Sequence, residues 1–79
     1  MALDDAMTAY RAAQADARMT PTIIVRARER RQRRRVECEE SVSHADLGRL
    51  AALRDELAAR GIRPPELRRP IAPRYGEPA

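Results

Sequence analysis

The stretch from Arg26 to Arg35 constrains the fold of this chain more than any other feature. These ten positions hold seven of the sixteen basic residues, all of which are arginine, against a single glutamate. The β-branched residues 23–25 precede the stretch, and Val36 follows it. The sequence on both sides is rich in alanine, and the end of the chain is rich in proline. The secondary structure of this stretch therefore decides both the fold and the function.

We predict that the stretch forms a β-hairpin with residues 29–32 as its turn. Isoleucine, valine and threonine are stiff at χ1 and favour a pleated sheet. In this register Val25 lies opposite Val36 and Ile23 lies opposite Cys38. The apolar residues then recur with the period of two that is typical of strands. One face of the hairpin would be apolar and would pack inward, with Cys38 as a small core residue.

The other face of the predicted hairpin carries arginines in opposed pairs. Arg28 lies across from Arg33, and Arg26 lies across from Arg35. Like charges in directly opposed positions destabilise a sheet. We therefore predict that these four arginines form a face for nucleic acid or for an acidic protein partner.

A helix is the alternative structure for the same stretch. In that case Thr20 would cap the helix, and Pro21 would occupy its first position. Residues 26–35 would then form an arginine-rich recognition helix.

The sequence before the stretch predicts a helix over residues 3–18. Apolar residues recur there at steps of three and four, as on one face of a helix. The helix should end before Pro21, because the residue preceding a proline is displaced from the helical region. Residues 63–79 contain five of the six prolines and cannot build a core of their own.

A second helix is predicted after the hairpin. Ser43 and Asp46 resemble a capping box, and Gly61 suits the left-handed position that closes a helix, with Ile62 making the accompanying contact. Four leucines, with Ala51 and Ala58 on the same side, form the apolar stripe: Leu47, Leu50, Leu53 and Leu57.

The size of the chain limits what it can do alone. It has 79 residues and no Phe or Trp, so its core is small and a partner or a ring of copies should stabilise it. The single Cys38 excludes an internal disulfide, and no metal, cofactor or catalytic constellation is present in the sequence. No apolar run reaches the ~20 residues of a membrane span, and the N-terminus lacks a signal peptide's basic region. We expect an intracellular protein that is not an enzyme, with no membrane partner and no small-molecule substrate.

Three short motifs resemble a known family. Residues 34–38 read Arg-Arg-Val-Glu-Cys, residues 41–43 read Ser-Val-Ser, and Asp46-Leu47 opens the leucine-rich helix. In this order they resemble the head-completion protein W family of lambda-type phages, whose members join the phage head to the tail. The resemblance covers roughly residues 3–60.

This resemblance implies an α+β fold: a helix–hairpin–helix domain over residues 1–62, followed by an extended docking tail over residues 63–79. It also implies a virion protein, assembled in the host cytoplasm, that forms a ring under the portal, helps to retain packaged DNA and attaches the next connector component. Expected partners are copies of the chain, the portal protein, the neck or stopper protein and packaged DNA. Six tail residues are candidates for docking: Leu67, Arg68, Arg69, Ile71, Arg74 and Tyr75.

Two other functions compete with the connector. The arginine-rich stretch is similar to arginine-rich peptides that bind RNA, so the chain could be a regulator that binds RNA or DNA. Alternatively, its leucine-rich helix could bind a host complex as an adaptor.

Overall fold

A computed structural model describes residues 2–38 and 42–67 of the chain. They form three α-helices: α1 (Ala2–Arg18), α2 (Thr22–Cys38) and α3 (His44–Ala59). Helix α3 packs against both α1 and α2. The described residues contain no strand, so the predicted α+β class and its α-β-β-α order are wrong. None of the three helices is long and apolar enough to cross a bilayer.

The predicted β-hairpin is replaced by the continuous helix α2. Residues 26–35 consist of Arg, Ala, Glu and Gln, which are all good helix formers. They contain no Gly, Asn, Asp or Pro, the residues that tight turns require. The β-branched residues 23–25 fall in the first turn of the helix, where each costs only a few tenths of a kcal/mol. The helix is therefore favoured over a hairpin without a turn.

The buried side of α2 is a narrow stripe. Val25, Glu29 and Val36 have exposed fractions of 0%, 2% and 2%. Their spacings of four and seven residues place them on one side of a helix. The inward position predicted for the two valines is confirmed, but the period is helical. Ile23 and Cys38, which the hairpin register turned inward, are exposed.

A short corner joins α1 to α2. As predicted, α1 ends before Pro21. The hydroxyl of Thr20 donates to the Asp16 carbonyl (2.7 Å) and so satisfies the end of α1. The Pro21 carbonyl accepts the N–H of Val25 (3.0 Å), the first bond of α2. The helical alternative is correct that a helix follows this corner, but α2 begins at Thr22, one residue after Pro21, and Thr20 closes the preceding helix.

Both ends of α3 have the predicted caps. The Ser43 side chain accepts a hydrogen bond from the Asp46 N–H (3.1 Å). Gly61 has a φ of 82°, the left-handed conformation that glycine adopts without strain. The Ile62 N–H donates to the Leu57 carbonyl (2.9 Å), as in a Schellman motif. Local sequence is sufficient to set these boundaries.

The core lies where the three helices meet. Ala17 of α1, Val25 of α2, and Leu53 and Leu57 of α3 form one buried cluster, and Ile62 packs against it. Each helix contributes at least one side chain. The leucine stripe predicted for α3 supplies the largest share of this cluster.

A second buried side of α3 consists of small residues. Gly48 and Ala52 are buried, four residues apart. A Cβ added at Gly48 would lie 2.3 Å from the carbonyl oxygen of Ala6, so the backbone of α1 passes directly over this position. Ala51 and Ala58, predicted to be on the buried side, are exposed. Ala51 and Ala58 lie between the leucine side and the Gly48–Ala52 side of α3, so neither neighbouring helix covers them.

Candidate nucleic-acid interface

Helical geometry separates the four arginines that were predicted to share one face. At about 100° per residue, Arg26 and Arg33 lie on one flank of α2, whereas Arg28 and Arg35 lie on the opposite flank. The opposed pairs expected across the hairpin do not form. Instead, the arginines of α2 fall into two groups: those that lie close to an acidic side chain and those that do not.

Two of these arginines point toward carboxylates of neighbouring helices. Arg28 contacts Asp16 of α1 at 2.6 Å, with both side chains largely exposed. Arg35 lies 3.9 Å from a carboxylate oxygen of Asp46 in α3. An exposed pair such as Arg28–Asp16 contributes little stability, typically about 0–1 kcal/mol. In both pairs, however, a carboxylate balances the charge of the arginine.

A buried carboxylate joins α2 to α3. Glu29 is 2% exposed and accepts a hydrogen bond from Arg54 of α3 (2.8 Å), while Arg33, one turn further along α2, lies 3.4 Å away. Arg54 also donates to the carbonyl of Pro65 (2.6 Å). We call Glu29, Arg33 and Arg54 the Glu29 cluster. It fixes α2 on α3 and holds the first residues after α3 against the helices.

A second carboxylate anchors the start of α3 to α2. Asp46 accepts hydrogen bonds from Arg49 (2.6 Å) and Gln32 (3.2 Å). Burial tends to raise the pKa of Asp46, but the hydrogen bonds from Ser43 and Gln32 and the charges of Arg35 and Arg49 outweigh it and lower that pKa. The Asp46 carboxylate is therefore ionised and held in place at neutral pH.

Arg60, the residue that caps the C-terminal end of α3, holds the corner between α1 and α2. Arg60 donates to the Ala17 carbonyl (2.7 Å) and to the Thr22 hydroxyl (2.8 Å). It also pairs with Glu56 at 2.8 Å, the i,i+4 contact expected from the sequence. Arg60 thus joins all three helices.

The remaining arginines of α2 form an exposed face that has no acidic partner among the described residues. Arg26, Arg30, Arg31 and Arg34 are exposed, and none makes a hydrogen bond or ion pair with a residue in the described ranges. We call these four residues the arginine face. Arg26, Arg30 and Arg34 follow each other at four-residue steps, so they form a ridge about 12 Å long at 1.5 Å per residue.

The arginine face is electrostatically unfavourable when nothing binds it. Like charges four residues apart destabilise a helix by about 0.2–0.5 kcal/mol per pair. Arg26 with Arg30, and Arg30 with Arg34, are two such pairs. A row of phosphates would relieve this repulsion, because each guanidinium can donate two parallel hydrogen bonds to one phosphate.

Of the arginine face, only Arg26 belongs to the site predicted from the sequence. Arg30 and Arg31 were assigned to the hairpin turn, and Arg34 was not assigned to the face at all. The signal was present in the sequence as the spacing 26, 30, 34, which is the period of a helix and not of a strand.

The predicted docking tail is only partly described by the structure. Leu67 is half-buried, and Pro65 contacts Arg54. Pro65 therefore lies against α3. The other tail candidates lie outside the described residues: Arg68, Arg69, Ile71, Arg74 and Tyr75.

No metal centre is built from the part of the chain that the structure describes, since it groups no three His, Cys, Asp or Glu side chains. Comparison with known proteins does not assign the chain to a family. No protein-family model, no curated protein and no solved structure matches this chain.

Proposed function

We propose that this chain binds nucleic acid through the arginine face of α2. The observation that carries the proposal is the group of four exposed arginines that lack acidic partners among the described residues, three of them in one ridge. A guanidinium group matches the geometry of a phosphate and can donate two hydrogen bonds to it. A rigid helix presents the guanidinium groups at fixed spacing, so several phosphates can be bound at once with little loss of backbone entropy.

A nucleic acid fits this face better than an acidic protein surface does. Protein interfaces have an apolar core surrounded by a polar rim, whereas Arg30, Arg31 and Arg34 occupy the middle of the exposed side of α2, where such a core would lie. Phosphates along a nucleic acid form an uninterrupted row of negative charge, and their neutralisation releases counterions. Binding should therefore be dominated by electrostatics.

The proposal is tested by fluorescence anisotropy with a labelled nucleic acid at several salt concentrations. Four phosphate contacts predict a slope of log K against log salt of about −3.6 on duplex DNA. The double variant R30Q/R34Q should reduce the slope to about −1.8 and weaken binding at low salt. Its helix content and melting temperature should be retained or raised, because both side chains are exposed and their mutual repulsion is removed.

The matched control is R11Q/R63Q, which removes the same net charge from two exposed arginines outside α2. If affinity depends only on net charge, the two double variants will bind equally weakly, and the arginine face will not be the site. Absence of any salt-dependent binding by the unaltered protein would refute the proposal.

The phage head–tail connector function stays a prediction that rests on the resemblance of short motifs. The hairpin that the resemblance placed at residues 34–38 is part of helix α2 instead. Copurification separates the two functions: a connector follows assembled phage heads, whereas a regulator that binds nucleic acid does not.

A further inference from the structure

We infer that the ligand of the arginine face is double-stranded DNA and that α2 enters its major groove. This inference rests on the proposed function and specifies its ligand. Four features of α2 and its surroundings lead to it: the exposed arc of the helix, the position of arginines on both flanks, the lack of stacking residues and the diameter of an α-helix.

Most of the circumference of α2 is accessible. Its buried residues, Val25, Glu29 and Val36, fall within an arc of about 40° at 3.6 residues per turn. Helix α2 rests mainly on α3, and a cleft of about 750 Å³ lies between its Arg31 side and α1, where Ala12 forms part of the opposite wall. The side of α2 that faces away from α3 is therefore open to solvent and can be placed in a groove.

Cations lie on both flanks of the exposed arc. A line along α2 through Ala27 and Arg34 marks the middle of this arc, opposite the buried stripe. Arg26 and Arg30 lie on one side of this line, and Arg31 lies on the other side. A groove of a duplex has a phosphate strand along each edge, whereas a single strand has only one row of phosphates. This arrangement matches two strands.

The described residues offer no platform for unpaired bases. Proteins that bind single strands stack the bases on aromatic side chains. The chain has no Phe or Trp, and Tyr10 is the aromatic residue in the described ranges. Its hydroxyl donates to Asp55 of α3 (2.6 Å), a bond that raises the pKa of Tyr10 and ties the ring to the α1–α3 contact.

The shape of the groove distinguishes DNA from RNA. The major groove of B-form DNA is about 12 Å wide and admits an α-helix of about 10–12 Å diameter. The major groove of an A-form RNA duplex is too deep and narrow for side chains to read. Helix α2 contains neither Pro nor Gly between residues 22 and 38, the residues that most often kink a helix. It can therefore lie along the wider groove.

Binding in this groove should tolerate many sequences. Gln32, the only amide side chain of α2, is turned toward Asp46 and cannot reach a base. On the exposed arc, Ile23 is 77% exposed and can contact thymine methyl groups, while the arginines can contact guanine or phosphate. Recognition is therefore expected to be mainly electrostatic, with a weak dependence on sequence.

The first test compares one sequence as a DNA duplex, an RNA duplex and a DNA single strand under equal salt. The DNA duplex should bind at least about tenfold more tightly than either of the others. R26Q and R31Q, one from each flank, should each reduce the salt slope on duplex DNA by about 0.9. The control R11Q should leave the slope unchanged.

The second test is methylation of the bound duplex by dimethyl sulfate, which attacks guanine N7 in the major groove and adenine N3 in the minor groove. Protection of guanine N7 is expected. Protection of adenine N3 alone, or a slope that responds to only one flank, would overturn major-groove insertion. Tighter binding of RNA or of the single strand would overturn the choice of ligand but leave the proposed function intact. Failure to bind all three nucleic acids would overturn the proposed function itself.

Discussion

At the scale of single residues, the position of an arginine on its helix decides its role. Arg54 and Arg60 lie where helices meet, and they satisfy a carboxylate and backbone carbonyls there. Arg30 and Arg34 differ from them only in lying on the outer side of α2. The same side chain thus stabilises the fold at one position and leaves a charge available for a ligand at another.

Gly48 is the residue whose replacement tests the α1–α3 contact most directly. In G48A the new Cβ would lie 2.3 Å from the backbone oxygen of Ala6, so α1 must move away. We expect a net loss of about 1–3 kcal/mol in the free energy of unfolding, despite the higher helix propensity of alanine. Urea denaturation followed by circular dichroism measures this loss.

The control for G48A is A51S, a small change at an exposed position of the same helix. It should alter the free energy of unfolding by no more than about 0.5 kcal/mol. A G48A protein as stable as the unaltered one would show that α1 does not approach α3 this closely.

At the scale of elements, α2 is attached to the domain by few apolar side chains. Val25 and Val36 are its only buried apolar residues. The Glu29 cluster must therefore supply much of what fixes the orientation of α2 on α3. A well-fixed α2 is a requirement of the proposed function, because the arginine face is useful only when its spacing is rigid.

Replacing Glu29 should loosen α2 without altering the arginine face. Breaking a fully buried ion pair costs about 3–5 kcal/mol, but Arg33 and Arg54 are each about one-fifth exposed. We therefore expect E29A to cost nearer 2–3 kcal/mol, because water can solvate the two arginines that remain. Thermal or urea denaturation gives the value.

Two comparisons make the Glu29 experiment specific. E29M restores apolar volume at the buried position and should recover part of the stability lost in E29A. E37Q removes a glutamate from the same helix outside the cluster and should cost less than E29A does. If E29A and E37Q are equally stable, the Glu29 cluster does not hold α2 in place.

At the scale of the whole molecule, the Asp46 carboxylate joins α3 to α2. Asp46 has a lowered pKa in the folded protein, so folding is favoured by its ionised form. This contribution is fully present above the unfolded pKa of about 4 and is lost as the pH falls from there through the lowered folded pKa. We expect unfolding at acid pH, and we expect D46N to flatten this part of the pH profile while lowering stability at pH 7.

The measurement is the free energy of unfolding from pH 7 to pH 2, with D4N as the control because Asp4 is exposed near the start of α1. The difference in stability between the unaltered protein and D46N should shrink as the pH falls. A difference that stays constant down to pH 2 would show that ionisation of Asp46 does not contribute.

Local sequence determined where α1 ends and where α3 begins and ends. Pro21 limits α1, Ser43 opens α3, and Gly61 with Ile62 closes it, because caps and breakers act through bonds within a few residues. The same local rules favoured a helix over residues 26–35, which lack turn formers. Reliance on the β-branched residues 23–25 led to the hairpin instead, although the arginine spacing already had the helical period.

Only the tertiary structure decided which sides of the helices are buried and which arginines are left for a ligand. Helix α3 buries small residues as well as leucines because it has neighbours on two sides, and no periodicity within α3 identifies those neighbours. The arginines of α2 are chemically identical and close together in the sequence. They differ because folding brings Asp16, Glu29 and Asp46 near some of them and leaves the arginine face beyond reach of any carboxylate in the described residues. Charge pairing between helices depends on distances in space, which a linear pattern of residues does not contain.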